Sequence, residues 1–155
     1  MLFTATKDNQ ILIFSFNTGT IINQFAAHDN SISGVCVSWD FLITSSLDTT
    51  IKFWDISKFD SAPQLFYDHE EEIISIDISD SEIEEQFLVS LDTDWTMIVR
   101  SLSNPREVLH KIKGPIHFGK ELLFTPFDNV LLVPFNLLQN FVEYIAKPVS
   151  LAQRL

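Results

Sequence analysis

Short apolar runs alternating with polar residues recur along this chain. The clearest, Ile74-Ser75-Ile76-Asp77-Ile78-Ser79, repeats every two residues, which predicts a strand with its isoleucines on one face. Comparable runs extend from Leu2 to Thr6, Ile11 to Phe16, Ile32 to Ser38, Phe41 to Ser46, Ile51 to Ile56, Gln86 to Leu91, Met97 to Leu102, Val130 to Phe135 and Phe141 to Ala146. Between them fall Asn17-Thr18-Gly19, Asp48-Thr49, Asp92-Thr93-Asp94 and Asp128-Asn129, residues that bond to their own backbone or tolerate positive φ. No stretch combines a 3.6-residue period with helix caps, so the predicted fold class is all-β.

The runs follow a repeating frame. Lys7-Asp8-Asn9-Gln10-Ile11-Leu12-Ile13-Phe14 aligns with Leu47-Asp48-Thr49-Thr50-Ile51-Lys52-Phe53-Trp54 at an offset of 40 residues, and Asp94-Trp95-Thr96-Met97-Ile98-Val99-Arg100 follows at 46. Asp94 fits the frame better than Asp92, because Asp94-Trp95-Thr96 repeats the Asp-x-Thr of Asp48-Thr49-Thr50. A worn fourth copy runs from Val130 to Ile145, with Tyr144 at the position of Trp54 and Leu138 where the turn Asp should stand. A fixed period of this size marks a repeat architecture.

The segment from Ser45 to Asp55, preceded by Ala27-His28-Asp29, resembles a WD repeat of the β-propeller family, with His28 lying 26 residues before Trp54. In the other copies Phe14-Ser15, Arg100-Ser101 and Tyr144-Ile145 replace the Trp-Asp pair. The resemblance implies a partial propeller of about three and a half four-stranded blades: blade one 1–27, blade two 28–67, blade three 68–112 and a degenerate blade four 113–155. Closed rings have about four to eight blades, so a fragment of a larger ring is expected.

His28, Ser46, Asp48 and Trp54 contain the residue types of a Ser-His-Asp catalytic set. The resemblance instead implies that they form a structural hydrogen-bond network within the blade, with Thr44 as an alternative hydroxyl on the same strand face. No nucleophile elbow, phosphate loop, dinucleotide fingerprint or zinc-protease motif accompanies them, and neither catalysis nor a cofactor or metal is expected.

Charge adds a second feature. The net charge of −11 excludes a phosphate-neutralising surface, and 13 of the 21 acidic residues lie between Asp55 and Asp94 with Lys58 as the only base. Asp68, Glu70, Glu71 and Glu72 form one acidic loop, and Glu82, Glu84 and Glu85 a second; both are candidate docking sites for basic segments of other proteins. Cys36, the sole cysteine, rules out an internal disulfide and is expected to fill space in a strand. The longest apolar stretch, Val130 to Phe135, is too short to span a bilayer, and no secretory signal is read at Met1, so a cytoplasmic location is expected.

A narrower resemblance is carried by Phe14-Ser15-Phe16, Ala27 to Ser33, Trp39 to Ser46 and Leu122 to Phe127, which are similar to the C-terminal propellers of BEACH-domain proteins of the beige, neurobeachin and neutral-sphingomyelinase-activation-factor types. It implies a scaffold in vesicle trafficking or membrane dynamics, peripheral to endomembranes through the full-length protein, with a BEACH domain or further blades as its companions. The alternative is an unrelated WD-repeat adaptor, such as a ubiquitin-ligase substrate receptor or a signalling-complex subunit.

Overall fold

The structure, a computed structural model, describes residues 1–79 and 85–114 together with the two short strands at 123–124 and 131–132. The described elements are all strands, in agreement with the predicted fold class. Strands β1 (Leu2–Ala5), β2 (Gln10–Phe14) and β3 (Ile21–Ala26) form a three-stranded antiparallel sheet. Strands β4 (Ile32–Val37), β5 (Phe41–Ser46), β6 (Ile51–Asp55) and β7 (Gln64–Phe66) form the second sheet in sequence order. Strands β8 (Ile73–Ile78), β9 (Phe87–Asp92), β10 (Thr96–Ser101) and β11 (Val108–Lys113) form the third. Strands β12 (Leu123–Phe124) and β13 (Leu131–Leu132) pair with each other. Apart from these two, the predicted fourth blade beyond Gly114 lies outside the described residues, as do loop residues Glu82 and Glu84.

The turns show why the frame repeats. Asn9, Thr49 and Trp95 occupy one frame position, and all three have positive φ, at 62°, 72° and 63°. Each amide donates to the carbonyl three residues earlier, on Thr6, Ser46 and Asp92 respectively. One tight turn thus joins the second and third strands of the full sheets and the first two of the incomplete one. Its left-handed residue is not a glycine at any of the three positions, so each carries a local conformational cost that the strands on either side must hold in place.

Sheet two is buried on both faces. Leu42 and Trp54 pack with Ile11 and Ile13 towards sheet one, while Ile43, Ile51 and Phe53 pack with Ile73, Ile76 and Leu88 towards sheet three. This double burial explains why Phe41-Leu42-Ile43-Thr44-Ser45-Ser46 does not alternate in hydropathy. The expectation that every isoleucine of β8 shares a face is corrected. The register shifts between Ile73 and Ser75, and this irregularity turns Ile74 towards Val89 and Leu91 while Ile73, Ile76 and Ile78 face sheet two. Strand β4 shifts register at the matching place, between Ile32 and Gly34. Gly34 is required there: a Cβ would lie 2.5 Å from Cγ1 of Ile76 and 2.9 Å from Oγ of Ser45, so the first strands of sheets two and three approach as closely as they do only without a side chain.

Candidate functional site

His28 lies in the connection from β3 to β4, with its ring fully buried. Its Nδ1 is 2.8 Å from Oδ2 of Asp48 and its Nε2 is 2.8 Å from Oγ1 of Thr44. The Trp54 indole donates to the same Thr44 oxygen at 3.0 Å. Burial lowers the His28 pKa, with Asp48 opposing, so the ring is neutral. Nδ1–H then donates to the carboxylate, Nε2 accepts from the Thr44 hydroxyl, and the chain from indole to hydroxyl to imidazole to carboxylate is polarised in one direction. Desolvation acts to raise the pKa of Asp48, but hydrogen bonds from Thr50 and His28 hold it below its ordinary value. The Thr50 amide and hydroxyl meet Oδ1 at 3.0 and 2.6 Å.

Ser46 is not the relay hydroxyl, which corrects the sequence expectation. It shares a strand face with Thr44 but ends β5, where its hydroxyl donates to the Asn30 carbonyl and accepts from the Asp48 amide, each at 3.0 Å. The His28 ring reaches the strand two residues farther in.

Sheet three builds a second relay from different positions. His69 Nδ1 is 2.8 Å from Oδ2 of Asp92, and its Nε2 is 2.7 Å from Oγ of Ser90. Burial lowers the pKa of His69 as well, with Asp92 opposing. By the turn frame Ser90 corresponds to Thr44, but Asp92 corresponds to Ser46. The carboxylate has moved two residues along the chain, which in a strand keeps it on the same face. Asp94, at the frame position of Asp48, is exposed and pairs with Lys113. Arg100, at the position of Trp54, is 2% exposed and donates to Asp68 and to the Pro105 carbonyl, and its guanidinium carbon lies 4.5 Å above the Phe66 ring. Burial lowers the Arg100 pKa, and Asp68 offsets part of that shift.

Both sets have the connectivity of a hydroxyl-His-carboxylate triad, yet Thr44 is 0% exposed and Ser90 2% exposed, so no substrate carbonyl reaches either hydroxyl. His69 is turned inward onto this relay, away from Glu70, Glu71 and Glu72, which are exposed. Among the described residues no three His, Cys, Asp or Glu side chains are placed to hold a metal ion. Cys36 is half-buried beside Ile76, and burial, with Asp77 adding, pushes its thiol pKa up to about 12, which leaves it without a reactive thiolate.

The two acidic loops do not meet. Asp68 to Glu72 precede β8, whereas Glu85 follows it in the β8–β9 connection, where it accepts from the Ser101 hydroxyl. Six strand residues separate the loops by about 20 Å. At the same end as Glu85, the β4–β5 turn and the residues after β6 border an open hollow of about 520 Å³ lined by Met1, Trp39, Asp40, Phe41, Asp55, Ile56 and Ser57. Trp39 is 70% exposed.

By fold, the chain is similar to the WD40 β-propeller domain of Doa1, with a TM-score of 0.70 and 20% identity over 86% of this chain and 43% of that one. The fold is that of a partial WD40 β-propeller. No protein-family model matches. By sequence the chain is similar over 45 residues, 29% of its length, to ATP synthase subunit a 1 of Methylococcus capsulatus, at 67% identity and covering 17% of that protein. It is also similar over 105 residues, 65% of its length, to ATP synthase subunit a of Alkalilimnicola ehrlichii, at 37% identity and covering 36% of that protein. The chain spans well under half the length of these relatives. Among the described residues no helix is long and apolar enough to cross a membrane.

In propeller terms, the sequence reading missed the whole second relay. His69 was assigned to a solvated loop, Asp94 preferred over Asp92, and Arg100 treated only as a missing Trp. A usable signal existed: His69 and His28 are 41 residues apart, close to the turn offset of 46. That spacing marks His69 as a second relay histidine.

Proposed function

We propose that this chain is a non-catalytic protein-interaction platform, a partial propeller whose loops engage partner proteins. The observation that carries this is the division of its polar chemistry: both hydroxyl-His-carboxylate sets are sealed inside sheets, while acids and large aromatics stand on the loops. Trp39, Tyr67 and Phe16 are 70%, 69% and 84% exposed. The test is cross-linking of the tagged full chain in its source cells, with the cross-linked residues mapped by mass spectrometry. Reproducible cross-links from one partner to loop residues are expected, and none over replicate experiments would overturn the proposal.

The narrower proposal is that the platform is the propeller of a BEACH-family scaffold, cytoplasmic and peripheral to endomembranes; an unrelated WD-repeat adaptor, such as a ubiquitin-ligase substrate receptor or a signalling-complex subunit, is the alternative. Reading the transcript upstream of the Met1 codon separates them: a BEACH domain in frame supports the first, and its absence from a complete message supports the second.

The likeness to ATP synthase subunit a favours a second proposal for part of the chain. The turn frame of the first three sheets lapses beyond Gly114, where Leu138 replaces the turn Asp, and the acid excess of 55–94 gives way to a net positive charge from Trp95 onward. We assign the 45-residue likeness to this stretch, as a segment of different origin from the propeller. Leu122 to Phe127, one of the four segments behind the BEACH resemblance, then belongs to the other ancestry. If so, removing 115–155 leaves the urea unfolding free energy of the rest within about 0.5 kcal/mol of the full chain. A loss of several times that amount would show the stretch to be an integral blade.

A further inference from the structure

The internal environment of Arg100 shows what this molecule does with a guanidinium: it is stacked over an aromatic ring, Phe66, and paired with an acid, Asp68. The hollow beside Trp39 presents the complementary half of that arrangement with no cation in it. Trp39 supplies a larger and more electron-rich ring than Phe66, and its exposed face borders the hollow. Asp40 and Asp55 supply two carboxylates, and among the described residues neither takes part in an ion pair. Hydrogen bonds from the Ser57 hydroxyl and amide hold the Asp55 pKa below the usual carboxylate range, so it stays charged through mildly acidic pH. Phe41 and Ile56 add apolar wall.

An anionic ligand would meet two like charges here, and a purely apolar one would desolvate them without compensation. Arginine satisfies all the groups at once, because its planar guanidinium stacks on the indole, its paired N–H donors match a carboxylate, and its methylene stem covers the apolar wall. The chain's net charge of −11 favours the approach of such a segment.

Resting on the platform reading above, we infer that the hollow between the β4–β5 turn and the end of β6 is a docking site for an arginine side chain on a partner protein, with Trp39 as the stacking surface and Asp40 and Asp55 as the anionic acceptors. The probe is a synthetic hexapeptide of alternating arginine and leucine, titrated into the full chain by calorimetry, with glutamate-leucine and lysine-leucine hexapeptides alongside. Saturable binding of the arginine peptide is expected, with weaker binding of the lysine peptide, none of the glutamate peptide, and affinity falling as salt rises. Trp39→Ala and Asp40→Asn each lower the affinity by about tenfold; both residues are exposed, and unchanged far-ultraviolet circular dichroism checks that the fold is intact. Affinity unchanged in both variants, or no saturable binding by the unaltered chain, overturns the site. The platform reading then still stands or falls on its own cross-links to other loops, so the two failures are distinguishable.

Discussion

Sheets two and three solve the same problem with different residues. Each must hold a buried neutral imidazole between a hydroxyl and a carboxylate and also cover the outer strand of the preceding sheet. In sheet two one indole serves both needs: Trp54 donates to Thr44 and stacks on Phe25 at a centroid distance of 4.5 Å. In sheet three the tasks are divided, since Arg100 covers Phe66 but directs its hydrogen bonds to Asp68 and Pro105, away from the relay. The arrangement of the network is therefore kept more strictly than the identities or chain positions of its members.

The sharpest way to break this comparison is at the stacking residue. Trp54→Ala removes a large buried side chain and the indole donor together, and is expected to cost about 3–5 kcal/mol in urea unfolding. A loss below about 1 kcal/mol would show that the indole holds nothing together. The displaced carboxylate comes next. Asp92 is 2% exposed and accepts from His69 and from the amides of Asp94 and Thr96, so Asp92→Ala is expected to cost about 3 kcal/mol. Asp48 is more accessible to water, and Asp48→Ala is expected to cost about 1–2 kcal/mol; the reverse order would mean that the turn, rather than the relay, sets the energy.

Arg100→Met probes whether ionic pairing in sheet three adds stability. Asp68 is 37% exposed and can be hydrated once its partner is gone, so the expected change is within about 1 kcal/mol, checked by the same unfolding curves. The smallest effect is that of pH. The folded pKa of His28 and of His69 lies below the unfolded value, so the unfolded chain takes up protons first as pH falls below about 6.5. Stability is therefore full above that pH and declines on acidification until the folded pKa values are reached. Urea midpoints at pH 7.5 and 5.5 should differ in that direction, and the difference should shrink in His28→Gln and His69→Gln chains.

Much of the architecture was legible because strand period and turn chemistry are local. Phe41 to Ser46 and Gln64 to Phe66 coincide with the observed strands, and the turn frame predicted from Asp8, Asp48 and Asp94 reappears as three left-handed residues with one bonding pattern. The relays were less legible because they depend on which of two equivalent positions a ring reaches across the loop. Thr44 and Ser46 share a face and chemistry, as do Asp92 and Asp94, and only the depth at which the histidine enters the sheet separates them. Ile74 misled for a related reason: a single register shift reverses the face that alternation predicts.

Phe25 pairs with Ile11 across sheet one, Phe66 pairs with Ile51 across sheet two, and Ile112 pairs with Met97 across sheet three; by the turn frame the three are one position. Trp54 fits the first and Arg100, with Asp68 beside it, fits the second. The sheets are therefore not interchangeable modules. Exchanging sheets two and three would set an arginine against Phe25 with Ala27 in place of its acid, and no carboxylate would answer it. Each sheet in effect specifies its successor, so duplication of a single unit in such a chain is viable only when a compatible seam arises with it, and the order of the units is inherited as a whole.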